Sequence, residues 1–166
     1  MFTDIVGYTA LMEQDEQKAF EVLKRNLSIH QTEINACGGR VIKELGDGIL
    51  ASFITVSDAL NAAIRIQEQC NKTEFKLSMG IHQGEVLFEN GDIFGDAVNV
   101  ASRIQSLGTA GSILFSKKIT DEIKNKSEFR TVSLGRFEFK NVNEPIEVFA
   151  LANDGFAIPT KNRIKG

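Results

Sequence analysis

Two short apolar runs, Val41-Ile42 and Ile49-Leu50-Ala51-Ser52-Phe53-Ile54, flank the segment Lys43-Glu44-Leu45-Gly46-Asp47-Gly48. Glycines on either side of an acid, between β-prone runs, predict a tight hairpin over residues 40–54 with Asp47 at its tip. Asp-Gly is a common hairpin dipeptide, and turn formation alone would account for the aspartate. A carboxylate on a turn between two buried strands adds little to stability, however, and is well placed to hold a cation. What the rest of the chain brings to the hairpin decides between the two roles.

The chain opens on Met1-Phe2-Thr3-Asp4-Ile5-Val6, a β-like run that reads as the inner end of a strand. It is short for a central strand, which predicts a strand beginning earlier in a longer polypeptide. Gly7-Tyr8-Thr9 turns the chain into a helical region. Over residues 15–37 the apolar positions Phe20, Leu23, Leu27 and Ile34 recur at helical spacing, and Gly38-Gly39 stops the helix. His30 falls in the same stripe and reads as a satisfied, half-buried histidine between helix and sheet.

A second helix is expected over residues 57–70, with Ala59, Ala63, Ile66 and Cys70 on one face and Ser57 or Asp58 as its cap. Strands follow near residues 75–82 and 85–88, then a turn at Glu89-Asn90-Gly91 and a third helix over residues 95–107 closed by Gly108. A strand at 112–116, a short helix at 117–124 and β segments at 130–139 and 146–151 complete the pattern. This order predicts an α+β fold: a ferredoxin-like βαββαβ core extended by further α/β units, its helices packed on one sheet face. The expected domain spans residues 1–151, and residues 152–166 read as a linker or tail leading to another, regulatory module.

Composition narrows the function classes. A formal charge of −3 over 166 residues gives no electrostatic reason to expect nucleic-acid or anionic-membrane partners. No apolar run approaches the ~20 residues that span a bilayer. The two cysteines, Cys37 and Cys70, lie in helical segments without a CxxC pattern and read as reduced structural thiols of a cytoplasmic domain. With only two histidines, a His-rich zinc site is not expected.

Asp4 sits on the first strand, just before a glycine turn, and Asp47 on a hairpin that would neighbour that strand. Paired carboxylates at adjacent strand ends form a hard oxygen site of the kind Mg²⁺ or Mn²⁺ prefers. Beside them, the N–H groups of Gly7, Tyr8 and Thr9 at a helix start form an anion site. Metal plus phosphate cradle points to a nucleoside triphosphate, although the GxxxxGK[ST] loop is absent.

The runs Phe2-Thr3-Asp4-Ile5-Val6-Gly7-Tyr8-Thr9, Lys43-Glu44-Leu45-Gly46-Asp47 and Gly95-Asp96-Ala97-Val98-Asn99-Val100-Ala101-Ser102-Arg103, in this order and spacing, resemble the class III nucleotidyl cyclase catalytic domain. The resemblance implies that Asp4 and Asp47, with the Ile5 carbonyl, hold two Mg²⁺ or Mn²⁺ ions per active site, about 3.5–4 Å apart. It implies that Lys43 donates to adenine N1 and that Asp92 accepts from the exocyclic amine. Guanylate cyclases carry Glu and Cys, or a similar pair, at these two places, so the pair reads as ATP. Asn99 and Arg103, four apart on one helix face, match the residues that orient the ribose and stabilise charge at the α-phosphate. Lys140 matches a lysine on the outer phosphates, in a motif where many relatives have glycine in place of Asn141. Asp96 reads instead as an N-cap or first-turn acid of the third helix.

In the family the metal aspartates and phosphate turn come from one subunit, while the adenine pair, Asn99, Arg103 and Lys140 come from the other. A chain carrying both halves is therefore expected to form a head-to-tail C₂ homodimer with two equivalent sites. The expected activity is conversion of ATP to 3′,5′-cyclic AMP and pyrophosphate. The alternatives are a guanylate cyclase, against which Lys43 and Asp92 argue, and a catalytically silent nucleotide-binding or dimerisation module, which would normally lack a metal aspartate or the arginine.

Overall fold

The chain runs β1 (Phe2–Ile5), α1 (Tyr8–Gln14), α2 (Glu16–Ala36), β2 (Arg40–Leu45), β3 (Gly48–Ser52), α3 (Val56–Cys70) and β4 (Leu77–Ile81) in a computed structural model that describes residues 1–160. It continues through β5 (Leu87–Glu89), β6 (Asp92–Phe94), α4 (Asp96–Ser106), β7 (Ile113–Ser116), α5 (Lys117–Ile123), β8 (Thr131–Phe137) and β9 (Ile146–Leu151). Seven strands form one sheet in the order β2-β3-β1-β4-β7-β9-β8. β1 lies between β3 and β4, antiparallel to both, which is the ferredoxin-like arrangement expected from the element order. β7 extends the sheet beside β4 in parallel, after the α4 crossover.

The hairpin closes on the two-residue turn Gly46-Asp47, with Leu45 opposite Gly48. Gly46 is at φ 64 and Asp47 is not at positive φ, which is the glycine-first, II′ kind of hairpin turn. β5 and β6 form a separate ribbon across Asn90-Gly91, where both residues have positive φ, the I′ pattern. β6 is a strand that the sequence pattern does not announce, because its three residues are too few to display alternation.

Alternation along the strands assigns the helices to faces. Ile113 and Phe115 of β7, with Leu77, Met79 and Ile81 of β4, pack against α2, α3 and α5 through Val22, Ile34, Leu60 and Ile66. Leu114, pointing the other way, joins Val148, Ala150 and Leu134 in a second cluster covered by Val100 and Ile104 of α4. The expectation of helices on one face thus holds for α2, α3 and α5, and α4 departs from it. β7, next to β4, is buried on both sides, so its second face needs a cover too.

The buried face of α2 is turned towards the preceding residues from the expected stripe, with which it shares His30 and Ile34. Ala19, Val22, Asn26, His30, Glu33 and Ile34 are buried, while Phe20 is 55 % exposed beneath the Lys24 ammonium. Polar anchors rotate the helix: His30 bonds to Thr3 of β1, and Glu33 pairs with Arg65 of α3. On α3 the expected face is found, but Thr55 is the cap, its Oγ1 accepting from Asp58 N at 3.1 Å, so the helix begins ahead of Ser57. Both cysteines are free, and burial pushes the Cys70 thiol up to about 12, as befits a structural thiol.

His30 is wholly buried rather than half-buried. Its Nδ1–H donates to Asn26 O and its Nε2 accepts from the Thr3 hydroxyl, both at 2.8 Å, so the ring is satisfied as the neutral form. Burial lowers its pKa from 6.5 to about 4, against a smaller opposing effect of the Asn26 carbonyl. Between those values the unfolded chain binds a proton that the native chain does not, so His30 makes stability fall as pH drops through this window. Relative to His30→Gln, the wild type should lose roughly 2 kcal/mol between neutral pH and about pH 5. Urea midpoints at the two pH values measure this; parallel pH dependences for both proteins would refute it.

Packing continues past Leu151. Asn153 Oδ1 accepts from Arg130 N at 2.8 Å, Phe156 packs against the main core and Pro159 is buried. The segment expected as a linker from residue 152 is therefore docked as far as Pro159, because Asn153 and Phe156 have partners on the domain. Its last part, residues 161–166, lies outside the described residues.

Candidate active site

The β1–β3 register sets Asp4 opposite Gly48, the first residue after the hairpin turn, and so brings the Asp4 carboxyl beside that of Asp47. Asp4 is pushed up to about 7, first by burial, then by the hydrogen bond and the charge of Asp47, with the Ile5 N–H acting in the opposite sense. Two carboxylates in this position repel when both are ionised. A site of this kind is completed by a proton or a cation, and an all-oxygen donor set suits a hard divalent ion. Among the described residues no group of three or more His, Cys, Asp or Glu side chains gathers, so further ligands would have to come from backbone carbonyls such as that of Ile5, or from substrate.

Gly7 follows directly, at φ 76, as the N-cap of α1. That left-handed conformation favours glycine, and with no side chain Gly7 cannot cap the helix itself. Leu11 N closes the first turn on Gly7 O at 3.1 Å, leaving the N–H groups of Tyr8 and Thr9 without a capping side chain. Tyr8 packs its ring against the core, which fixes the turn next to Asp4.

Lys43 and Asp92, far apart in sequence, are joined by an ion pair of 2.9 Å between β2 and the β5–β6 ribbon. The other Asp92 oxygen accepts from Ile93 N at 2.7 Å. Lys43 and Ile93 N–H together hold the Asp92 carboxyl below its ordinary pKa. An ammonium and a carboxylate, each partly exposed, thus present a donor and an acceptor side by side.

Asn99 and Arg103 lie on α4, flanking its buried residues Val100, Ala101, Ile104 and Gln105. Arg103 Nε is out of contact with solvent and has no hydrogen-bond partner, an arrangement that costs energy unless an acceptor arrives. Asp96 occupies the first turn behind Gly95, the actual N-cap, and is exposed, as suits a helix-start acid. Lys140 is exposed in the loop after β8; stacked Phe137 and Phe139 rings, 6.3 Å apart, anchor that loop to the cluster that holds α4. Among the described residues, no hydrogen bond or ion pair links Asp4 or Asp47 to Lys43, Asp92, Asn99, Arg103 or Lys140. The chain brings together two pairs of the expected residues, Asp4 with Asp47 and Lys43 with Asp92, while Asn99 and Arg103 share α4 and Lys140 stands in the loop after β8.

A sequence model of the adenylate and guanylate cyclase catalytic domain matches residues 1–153. The chain belongs to this family. An adenylate cyclase of Streptomyces coelicolor is 33% identical over 131 residues, covering 74% of this chain and 33% of that protein. The crystal structure of an adenylate/guanylate cyclase/hydrolase from Silicibacter pomeroyi superposes with a TM-score of 0.78 at 33% identity, covering 92% of this chain and 94% of that one. The adenylyl cyclase CyaB from P. aeruginosa shares the fold, with a TM-score of 0.80 at 22% identity over 92% of this chain and 91% of that one. The chain spans well under half the length of the curated relatives it matches, 33% of the Streptomyces protein and 26% of one from Rhizobium meliloti (strain 1021).

Within this cyclase domain the loop that carries Lys140 has a backbone that explains its asparagine. Asn141, where the resemblance leads one to expect glycine, adopts φ 66, the left-handed conformation that glycine takes freely and asparagine tolerates better than most other residues. The loop bearing Lys140 keeps its turn. What the sequence reading did not identify is the anchoring of the cyclase helix α4. Gln105 Nε2 donates to Ser78 Oγ at 2.6 Å, and Ser78 is the β4 residue opposite Asp4. A glycine inside the apolar run Leu77-Ser78-Met79-Gly80-Ile81 was the available signal of close approach at this strand. No helix among the described residues is long and apolar enough to cross a membrane.

Proposed function

We propose that this domain is an adenylate cyclase that converts ATP to 3′,5′-cyclic AMP and pyrophosphate, in two sites shared across a head-to-tail homodimer. The observation that carries the catalytic reading is the Asp4–Asp47 carboxyl pair, whose mutual repulsion calls for cationic charge. Asp4, Asp47 and the Ile5 carbonyl would hold two Mg²⁺ or Mn²⁺ ions, which when bound supply Lewis-acid charge at the 3′-hydroxyl and the triphosphate. The N–H groups of Gly7, Tyr8 and Thr9 bind phosphate oxygens at the α1 start. From the other subunit, Asn99 orients the ribose, Arg103 donates to the α-phosphate as charge builds there, and Lys140 holds the outer phosphates. The ribose 3′-oxygen bonds to the α-phosphorus, the bond from that phosphorus to the α–β bridging oxygen breaks with its electron pair leaving on pyrophosphate, and the hydroxyl proton passes to water.

ATP is favoured by the Lys43–Asp92 pair: the ammonium donates to N1 and the carboxylate accepts from N6. Guanine presents the opposite pattern, and each unmatched polar group costs about 1–3 kcal/mol. Lys43→Glu combined with Asp92→Cys should therefore lower kcat/KM for ATP by roughly 10–100-fold per position and raise it for GTP. An unchanged ATP:GTP ratio would remove these residues from base recognition.

A homodimer is supported by the apolar surface of the ribbon. Leu87, Phe88 and Phe94 are 61%, 54% and 51% exposed, on a two-stranded element that is marginal without further packing. The ribbon also carries Asp92, so a second copy docking there would lie beside the base-reading pair, where a head-to-tail arrangement needs it. The test of the function is product formation from ATP and GTP with Mg²⁺ and with Mn²⁺, across protein concentrations. Cyclic AMP whose yield per chain rises with concentration is expected. A folded dimer that makes no cyclic nucleotide under any of these conditions would instead be a silent nucleotide-binding module.

A further inference from the structure

The height of α4 above the sheet is set by residues that have no side chain. Gly80, in β4, faces the helix, and a Cβ added there would stand 2.5 Å from Ala101 O and 2.8 Å from Gln105 Cα, and would also collide with Gln105 N. All three are backbone atoms, so no change of rotamer makes room. Non-bonded carbon contacts settle near 3.5–4 Å, and a methyl group would therefore lift the helix by about 1 Å. Gly84, just beyond β4, makes a second contact of this kind: its added Cβ would lie 2.8 Å from Ala97 Cβ, in the first turn of α4. Neither glycine has a positive φ, so an alanine meets no backbone strain at either place.

Given the cyclase reading above, we infer that Gly80 and Gly84 are positioning residues for the cyclisation step. Their bare backbone seats α4 at the height that aims Asn99 and Arg103 at the reacting phosphate. The Gln105–Ser78 hydrogen bond holds the helix down at the strand position beside Asp4. The base is read from β2 and the ribbon, and the metal carboxylates stand on β1 and the hairpin, all off the helix. A lifted α4 consequently weakens contacts made in the transition state and leaves substrate binding nearly intact.

The experiment measures kcat and KM for ATP with Mn²⁺, and thermal melting, for the wild type, Gly84→Ala, Gly84→Ala/Ala97→Gly, Gly80→Ala and Gly80→Ala/Ala101→Gly. Gly84→Ala should melt as a folded protein and lose about tenfold in kcat with KM within about twofold. Adding Ala97→Gly removes the carbon that the new methyl strikes, and most of the kcat should return. Gly80→Ala should lose about 100-fold, the scale of a 1 Å misplacement, and Ala101→Gly should not restore it, because the atom struck is the carbonyl oxygen. Wild-type kcat in Gly84→Ala, a loss that Ala97→Gly leaves in place, or a loss carried by KM would each overturn the assignment. If Gly80→Ala does not fold, the Gly84 and Ala97 pair decides alone. A wild type that makes no cyclic nucleotide overturns the proposed function itself, whereas an active wild type with unaffected glycine variants overturns only the role of the seat.

Discussion

An Asp47→Ala chain mixed in equal amounts with an Arg103→Ala chain is expected to regain about a quarter of the wild-type turnover, although each alone should lose roughly 10²–10³-fold. The two lesions sit in different groups: Asp47 on the β2–β3 turn beside Asp4, Arg103 on α4. If one group from each chain completes a site, a mixed dimer has one site with both lesions and one with neither. Random pairing makes half of the dimers mixed, and half of their sites work. Cyclic AMP formation plotted against mixing ratio should peak at equal proportions. Mixing Asp4→Ala with Asp47→Ala should recover nothing, since both lesions fall in the metal half. A flat response in the first mixture, at the level of the single variants, would mean that each chain builds its site alone.

Asp47→Asn should cost roughly 10³-fold in turnover while making the metal-free protein more stable. In the native chain the Asp4 and Asp47 carboxyls are close enough to raise Asp4 to about 7, burial being the larger cause and Asp47 the second. Below that value, down to the unfolded value of 3.8, the native chain holds a proton that the unfolded chain has released. Stability is therefore lost as pH rises through this window, and the repulsion is fully present above it. Removing one charge should return about 1 kcal/mol after allowance for solvent screening, or about 2–4 °C in Tm. The gain should be present above neutral pH and fade towards about pH 5, where Asp4 keeps its proton. Mn²⁺ should raise the Tm of the wild type and leave Asp47→Asn unmoved. An equal Mn²⁺ shift in both proteins would place the metal elsewhere.

Much of the fold was legible because it rests on local signals. Gly46-Asp47 gave the hairpin, and Asn90-Gly91 the ribbon turn. The 3.6-residue spacing of Ala59, Ala63, Ile66 and Cys70 gave the buried face of α3. On α2 the same reasoning chose Phe20 over Ala19, since hydrophobicity takes no account of a buried histidine that finds Thr3 or a buried glutamate that finds Arg65. Of the candidate site residues, the two acids at strand ends and the glycine turn could be named from type and order, whereas Asn99 and Arg103 came from the resemblance to the cyclase motifs. Whether they touch could not be read in either way. Nor did the sequence disclose that Ile93 N–H would pin Asp92, or that Gly80 would lie under α4.

By itself, the sequence determined the chemistry available and the local geometry carrying it. Asp47 stands on a turn, Gly7 opens a helix, Asn99 and Arg103 share a helical face, and Lys43 lies on the strand that runs into the Asp47 turn. These follow from φ preferences and from periods of two and 3.6, which act over a few residues. The tertiary structure decided the partnerships: Asp4 with Asp47 through the β1–β3 register, Lys43 with Asp92 across to the ribbon, and α4 on the face opposite α2 and α3. Local patterns state which residues face the same way. Sheet order and register, fixed by the burial of two separate apolar clusters, state what they face.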